Sequence, residues 1–169
     1  VSTIGVAIAI PEPWASDLQD YRTSIGDATA AQIPTHITLL PPLQVEDAEI
    51  PVVADHLAAA AATVDPFTIH LRGTGTFRPI SPVVFVTVVE GISSCELLAD
   101  AVRRGPLSVD LDFPFHPHVT IAHHVDDHVL DRAFGELTGF ECSFDADSFC
   151  LYEHDASDGW APTRKFGLG

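Results

Sequence analysis

The tetrad His36-Ile37-Thr38-Leu39 returns in kind as His118-Val119-Thr120-Ile121, 82 positions further along a chain of 169 residues. Each copy reads as a short strand, Thr35–Leu40 between prolines in the first case and Pro117–Ala122 in the second. After the first comes a helical stretch, Val52–Val64, entered through the acidic run Glu46–Glu49, and then the strand pair Phe67–Leu71 and Val83–Val89. After the second comes Asp126–Leu137, then Phe140–Phe144 and Ser148–His154. An echo at close to half the chain length predicts two related halves packed face to face.

Side chains alternate along a strand, so His36 and Thr38 share one face while Ile37 and Leu39 enter the core. His118 and Thr120 stand in the same relation to Val119 and Ile121. If the halves pack as pseudo-symmetric mates, two imidazoles and two hydroxyls point into one cleft. That set suits making or breaking a phosphodiester through a 2′,3′-cyclic phosphate. One imidazole takes a proton from the attacking oxygen and the other protonates the leaving one. Groups with an ordinary pKa of about 6.5 hold those complementary states near neutrality. Hydroxyl donors and imidazolium charge then stabilise the oxygen charge that grows in the transition state. No metal or other cofactor is required. A single histidine on a strand reads more simply as a satisfied core or surface residue, and a threonine beside it as a good strand former. Two copies in matching surroundings carry the reading.

The rest of the chain fits an α+β fold. Val1–Ile10 is a buried strand closed by Pro11 and Pro13, and Trp14–Ile25 has helical spacing and stops at Gly26. Ser93–Arg104 is a helix with Gly105 beyond it, and Ala161–Phe166 is a last strand. Hairpin-like spacings around Gly73 and Asp145 favour antiparallel or mixed sheets over a doubly wound parallel one. No linker or low-complexity run divides residues 1–169, which are expected to form a single two-lobed domain. Eight Lys+Arg against twenty-four Asp+Glu leave a net charge of −16, which excludes a grip on long nucleic acid by its phosphates. A small anionic ligand in a local pocket stays open, so the expected partner is a small nucleotide or an RNA end bound by a monomer. The apolar run Ile4–Ile10 is too short to span a bilayer, and no membrane partner is expected. Cys95, Cys142 and Cys150 are an odd set without CxxC spacing. Cys142 and Cys150 would face each other across a hairpin, but free thiols in a reducing cytoplasm are the simpler expectation.

The paired His-x-Thr tetrads resemble the defining motif of the two-histidine (2H) phosphoesterase superfamily, in its 2′-5′ RNA ligase-like branch. The likeness extends to Gly73-Thr74-Gly75-Thr76-Phe77-Arg78-Pro79 followed by Pro82-Val83-Val84-Phe85-Val86, similar to that family's glycine-rich turn, aromatic residue and buried strand. The resemblance implies a bilobal fold of two βα units around a water-filled cleft, and metal-independent phosphodiesterase chemistry. It implies His36 and His118 as general acid and base, with Thr38 and Thr120 on phosphate oxygens. It leaves open which histidine is the base, and implies ligation at most as a side activity. Family members often carry Arg or Lys shortly after the second tetrad, where this chain has Ala122-His123-His124. His123 stands at that place, whereas strict alternation puts His124 on the catalytic face. Leu40-Pro41-Pro42-Leu43 replaces the usual aromatic residue and glycine after the first tetrad. Arg72, Arg78 and Arg164 are the scarce cations that could bind phosphate instead, or plain surface charges.

Other constellations compete. His116, His118 and His124, with Asp126 and Asp127 nearby, offer imidazole and carboxylate suited to zinc or manganese and so to a metal-dependent hydrolase. The downstream Asp-His of metallo-β-lactamase-like sites is missing, and Asp126 and Asp127 suit a helix N-terminus. His56 and His70 read as structural. Phe77 and Trp160 could each stack on a base or pack in the core. A non-catalytic module holding a nucleotide or phosphometabolite is the alternative from a different class, and it has no need of two matched imidazoles.

Overall fold

A computed structural model describes residues 1–169. In chain order its elements are β1 (Ser2–Ala9), α1 (Trp14–Ser24), β2 (His36–Val45), α2 (Ile50–Ala62), β3 (Phe67–Thr76) and β4 (Val83–Glu90). They continue as α3 (Ile92–Val102), β5 (His118–His123), α4 (Asp127–Glu136), β6 (Glu141–Ala146), β7 (Ser148–Asp155) and β8 (Gly159–Gly167). One four-stranded sheet runs β2-β1-β7-β8 and the other β5-β4-β3-β6. Every pairing is antiparallel. The fold is α+β, as the hairpin-like spacing around Gly73 predicts.

Both tetrads lie on edge strands, β2 and β5, and these two edges lie against each other. The helices are exchanged between the sheets. Helix α1, which leads out of β1, packs against β5, and α3, which leads out of β4, packs against β2. Each of these helices thus packs against the tetrad strand of the other sheet. The buried core is continuous through both sheets and takes Ile37 and Leu39 from one tetrad and Val119 and Ile121 from the other. Burying each such chain is worth about 1.5–3 kcal/mol, which fixes the opposite face of each strand toward the cleft.

Three local expectations are corrected. Strand β2 does not stop at Pro41-Pro42 but runs on to Val45. It tolerates both prolines because it is an edge strand, and its register against β1 slips between Leu40 and Leu43, where they fall. Strand β3 likewise runs through Gly73–Gly75 to Thr76, with a register shift between Leu71 and Thr74 and Gly73 at φ +72°. Finally, β6 and β7 form no hairpin at Asp145. Only Asp147 separates them, and two residues are the usual minimum for a tight reversal. The chain steps instead from the second sheet, where β6 pairs with β3, to the first, where β7 pairs with β1. Cys142 and Cys150 therefore sit on different sheets, and all three cysteines are free thiols. The two sheets are also not the two halves of the sequence: residues 2–45 and 148–167 build the first, and residues 67–146 supply the second. No helix is long and apolar enough to cross a membrane.

Candidate active site

The two tetrads are built alike, down to a defect in each strand. In β2, Thr38 pairs with Ala7 and Leu40 with Val6, so Leu39 is an extra residue. In β5, Thr120 pairs with Phe85 and Ala122 with Val84, so Ile121 is extra. The bulge follows the threonine in both strands and turns two successive residues toward the core: Leu39 and Leu40, then Ile121 and Ala122 are all buried. His36, Thr38, His118 and Thr120 alternate with the buried residues and are half-buried on the other side.

The imidazoles are held in the same way. His36 Nδ1 lies 2.7 Å from the Pro34 carbonyl, and His118 Nδ1 lies 2.7 Å from the His116 carbonyl. A carbonyl only accepts, so each Nδ1 carries the proton and donates it. Each neutral ring then presents its lone pair at Nε2. Two backbone carbonyls, each two residues upstream, thus select one tautomer twice. Burial lowers the pKa of both rings by penalising the charged form. For His118 the value falls to about 4, burial first, with the charges of His116 and His36 adding to it and the His116 carbonyl opposing it. Both imidazoles are therefore neutral in the empty cleft, rather than complementary near 6.5 as free histidines would be. An anionic phosphate arriving between them favours a proton on one ring.

Two recesses flank the tetrads and share Thr38. The smaller, of about 130 Å³, holds His36 with Tyr152 and Trp160 from β7 and β8. Burial pushes the Tyr152 phenol up to about 12, so it stays neutral. The larger, of about 520 Å³, holds His118 and His116 with Phe77, Ile80, Phe113 and Asp112. Phe77 packs edge-on against His118 with ring centroids 4.8 Å apart, and Phe85 sits 5.3 Å from the same ring. Phe85 in turn needs Gly75, because a Cβ there would lie 2.6 Å from its ring. Phe77 is thus both a wall of the recess and a support for His118. Trp160 lines the opposite recess and packs on His154 at 5.1 Å.

The remaining candidates stand apart from these recesses. The bulge at Ile121 shifts the alternation, so His123, paired with Val83, comes to the tetrad's side of β5 in place of His124. His124 leaves the strand at φ +59° and stacks on His123 at 3.7 Å. Neither histidine lines a recess beside the tetrads. Arg78 is turned to α4, where Nη1 donates to Asp131 at 2.8 Å. Arg72 and Arg164 are exposed, the latter 5.6 Å over the Phe166 ring. The histidines and aspartates of residues 116–128 do not gather, and nowhere do three His, Cys, Asp or Glu side chains form a metal-holding group. His56 is tied to the Val102 carbonyl at 2.8 Å and His70 to Glu141 at 2.6 Å.

One element of the site escaped the sequence reading. Arg22 and Asp27 form a buried ion pair, Nη2 to Oδ2 at 2.8 Å. Asp27 also accepts from Thr29 and from the backbone N–H of His123 at 3.1 Å. Burial works against its charge, but the Thr29 bonds and the Arg22 guanidinium outweigh it and hold the carboxyl below its usual range. The pair pins the end of β5 to the turn after α1, joining the two sheets beside the cleft. The turn Gly26-Asp27-Ala28-Thr29 was the available signal, since Asp favours capping the N–H two residues on.

Comparison with known proteins agrees with this architecture. The sequence model of the 2′-5′ RNA ligase superfamily matches residues 10–158. A Bacillus cytotoxicus protein named "Putative phosphoesterase" is 27% identical over 168 residues, 98% of this chain and 96% of its own length. Among solved structures, E. coli LigT complexed with 3′-AMP superposes with a TM-score of 0.65 at 20% identity, covering 99% of this chain and 98% of LigT. TT0787 of Thermus thermophilus gives 0.64 at 23% identity, covering 98% and 97%. These two likenesses are of fold.

Proposed function

The chain belongs to the 2′-5′ RNA ligase superfamily, and we propose that it is a metal-independent phosphodiesterase that opens a 2′,3′-cyclic phosphate or a 2′-5′ linkage. The observation that carries this reading is the repeated tautomer lock: two imidazoles on adjoining edge strands, each donating Nδ1–H to the carbonyl two residues before it. A binder has no use for two matched bases. One Nε2 takes the proton of the attacking water or hydroxyl. The other, protonated once phosphate is present, delivers its proton to the leaving ribose oxygen. Thr38 and Thr120, on the same sides of their strands as the histidines, supply hydroxyl donors to the non-bridging oxygens, where charge accumulates. The same pair run backwards joins ends, so ligation is available as a side reaction. The net charge of −16 favours a small nucleotide or an RNA end over a long strand, and three free thiols fit a reducing cytosol.

The test is hydrolysis of 2′,3′-cyclic AMP and of a 2′-5′-linked dinucleotide in EDTA, with the products separated by chromatography. Turnover in the native chain that disappears in both His36→Ala and His118→Ala supports the two-histidine mechanism. Activity that needs added Zn²⁺ or Mn²⁺, or that survives either substitution, overturns it.

A further inference from the structure

A phosphodiester carries one negative charge, yet no Arg or Lys lines either recess beside the tetrads. The cations are engaged elsewhere or lie on the outer surface. Arg22 is paired with Asp27, Arg78 with Asp131, Arg103 with Asp100, and Arg132 with Glu136. Arg72, Arg104, Arg164 and Lys165 are exposed. The only cleft groups able to become positive are imidazoles, and the proposed chemistry already occupies His36 and His118. A third imidazole remains. His116 is exposed on the wall of the larger recess, with its ring centroid 6.1 Å from that of His118. Its ring is steered by Phe77 at 5.4 Å and Phe85 at 5.3 Å, the two rings that also support His118. The interaction of His116 with His118 is electrostatic as well, since a charge on His116 disfavours a proton on its neighbour.

We infer that His116 is the anion-holding group of this cleft: its imidazolium meets the single negative charge of a phosphodiester lying between Thr38 and His118. The inference rests on the phosphodiesterase reading and adds to it the residue that captures the substrate. His116 is exposed, so its charged form remains solvated until the ligand arrives, whereas a charge on His118 must be buried. The groups facing His116 are Asp112 on the same wall, His118 beside it and, through His118, His36. Asp112 opposes any second negative charge, so a singly charged diester suits the recess better than a doubly charged monoester.

The experiment measures KM and kcat for 2′,3′-cyclic AMP, whose phosphate is singly charged, at about pH 6. His116→Ala should raise KM about tenfold as one charge-assisted contact is lost, with the change falling on KM rather than kcat. His116→Arg should restore a low KM. A His116→Ala chain that keeps the native KM overturns the inference while leaving the two-histidine mechanism intact. If the native chain does not turn the compound over, that mechanism fails separately, and calorimetric Kd values for the same ligand across the same variants decide on His116. A Kd unchanged by His116→Ala, or no binding at about pH 5.5, overturns it.

Discussion

The two tetrads share a strand bulge, a tautomer lock and an edge position, but they are seated in different company. His36 faces a narrow recess walled by Tyr152 and Trp160. Its ring lies within the field of Arg22, a cation already neutralised by Asp27. His118 faces the wider recess, packed against the Phe77–Phe85 pair with His116 at its side. The common features are those that acid–base exchange requires: a fixed nitrogen, a fixed proton and a hydroxyl nearby. The differing features are those that a substrate reads. Duplication of the tetrad therefore did not impose duplication of the walls around it.

The comparison breaks most sharply at the histidines themselves. His36→Ala and His118→Ala should each lower kcat by about a thousandfold. The double variant should fall little further, because acid and base act as one unit. Steady-state kinetics on a cyclic phosphate checks both, and a strictly additive double variant would show independent roles. Next comes the pair that ties the lobes together. Arg22→Met leaves Asp27 buried without its partner and should cost about 3–5 kcal/mol in urea unfolding, with β5 losing hydrogen-exchange protection at His123 before β2 does.

Acid tests the difference in burial. The His118 ring titrates at about 4 in the folded chain and at about 6.5 when unfolded. Between those values the unfolded chain binds the extra proton. Stability is therefore intact above about pH 6.5 and should fall by about 3 kcal/mol as pH drops toward 4. His118→Gln should flatten part of that slope in pH-dependent denaturation, with His36 and His123, whose shifts have the same direction, contributing to what remains. The smallest effect separates the aromatic supports. Gly75→Ala drives Phe85 toward His118 from a 2.6 Å overlap, whereas Gly5→Ala meets Trp160 at 3.4 Å. The first should lower kcat about tenfold by misplacing the imidazole, while the second should change KM at most. Equal losses would mean that Phe85 does not position His118.

Much of the cleft was legible in the chain because it depends on local rules. The His-x-Thr spacing fixes a shared face, and the buried partners Ile37, Leu39, Val119 and Ile121 anchor it. The helices were legible too, from their apolar spacing and from Gly26 and Gly105 beyond their ends. What the sequence concealed depends on pairing between distant segments. The bulges at Leu39 and Ile121 exist only against β1 and β4, and the second decides whether His123 or His124 shares the tetrad's side. Pro41 and Pro42 read as a stop because nothing local marks β2 as an edge. Arg22 reads as a solvated helical cation until the fold brings Asp27 and the end of β5 to it. His116 invites a metal reading in one dimension and lines the larger recess beside His118 in three.

The single residue between β6 and β7 also sets an order of assembly. Everything the second sheet needs lies within residues 67–146, so that sheet can close while the chain is still being made. The first sheet cannot, because β1 and β2 wait for β7 and β8, which follow the whole of the second sheet in the chain. Until then Ile4 and Val6 lack the strand they pair with in the finished fold, and the β1–β2 pair stands without the rest of its sheet. The cleft between the tetrads thus forms only with β7 and β8 in place, and a ribosome-bound chain with residues 1–146 clear of the exit tunnel should expose the β1–β2 pair to protease while the second sheet resists.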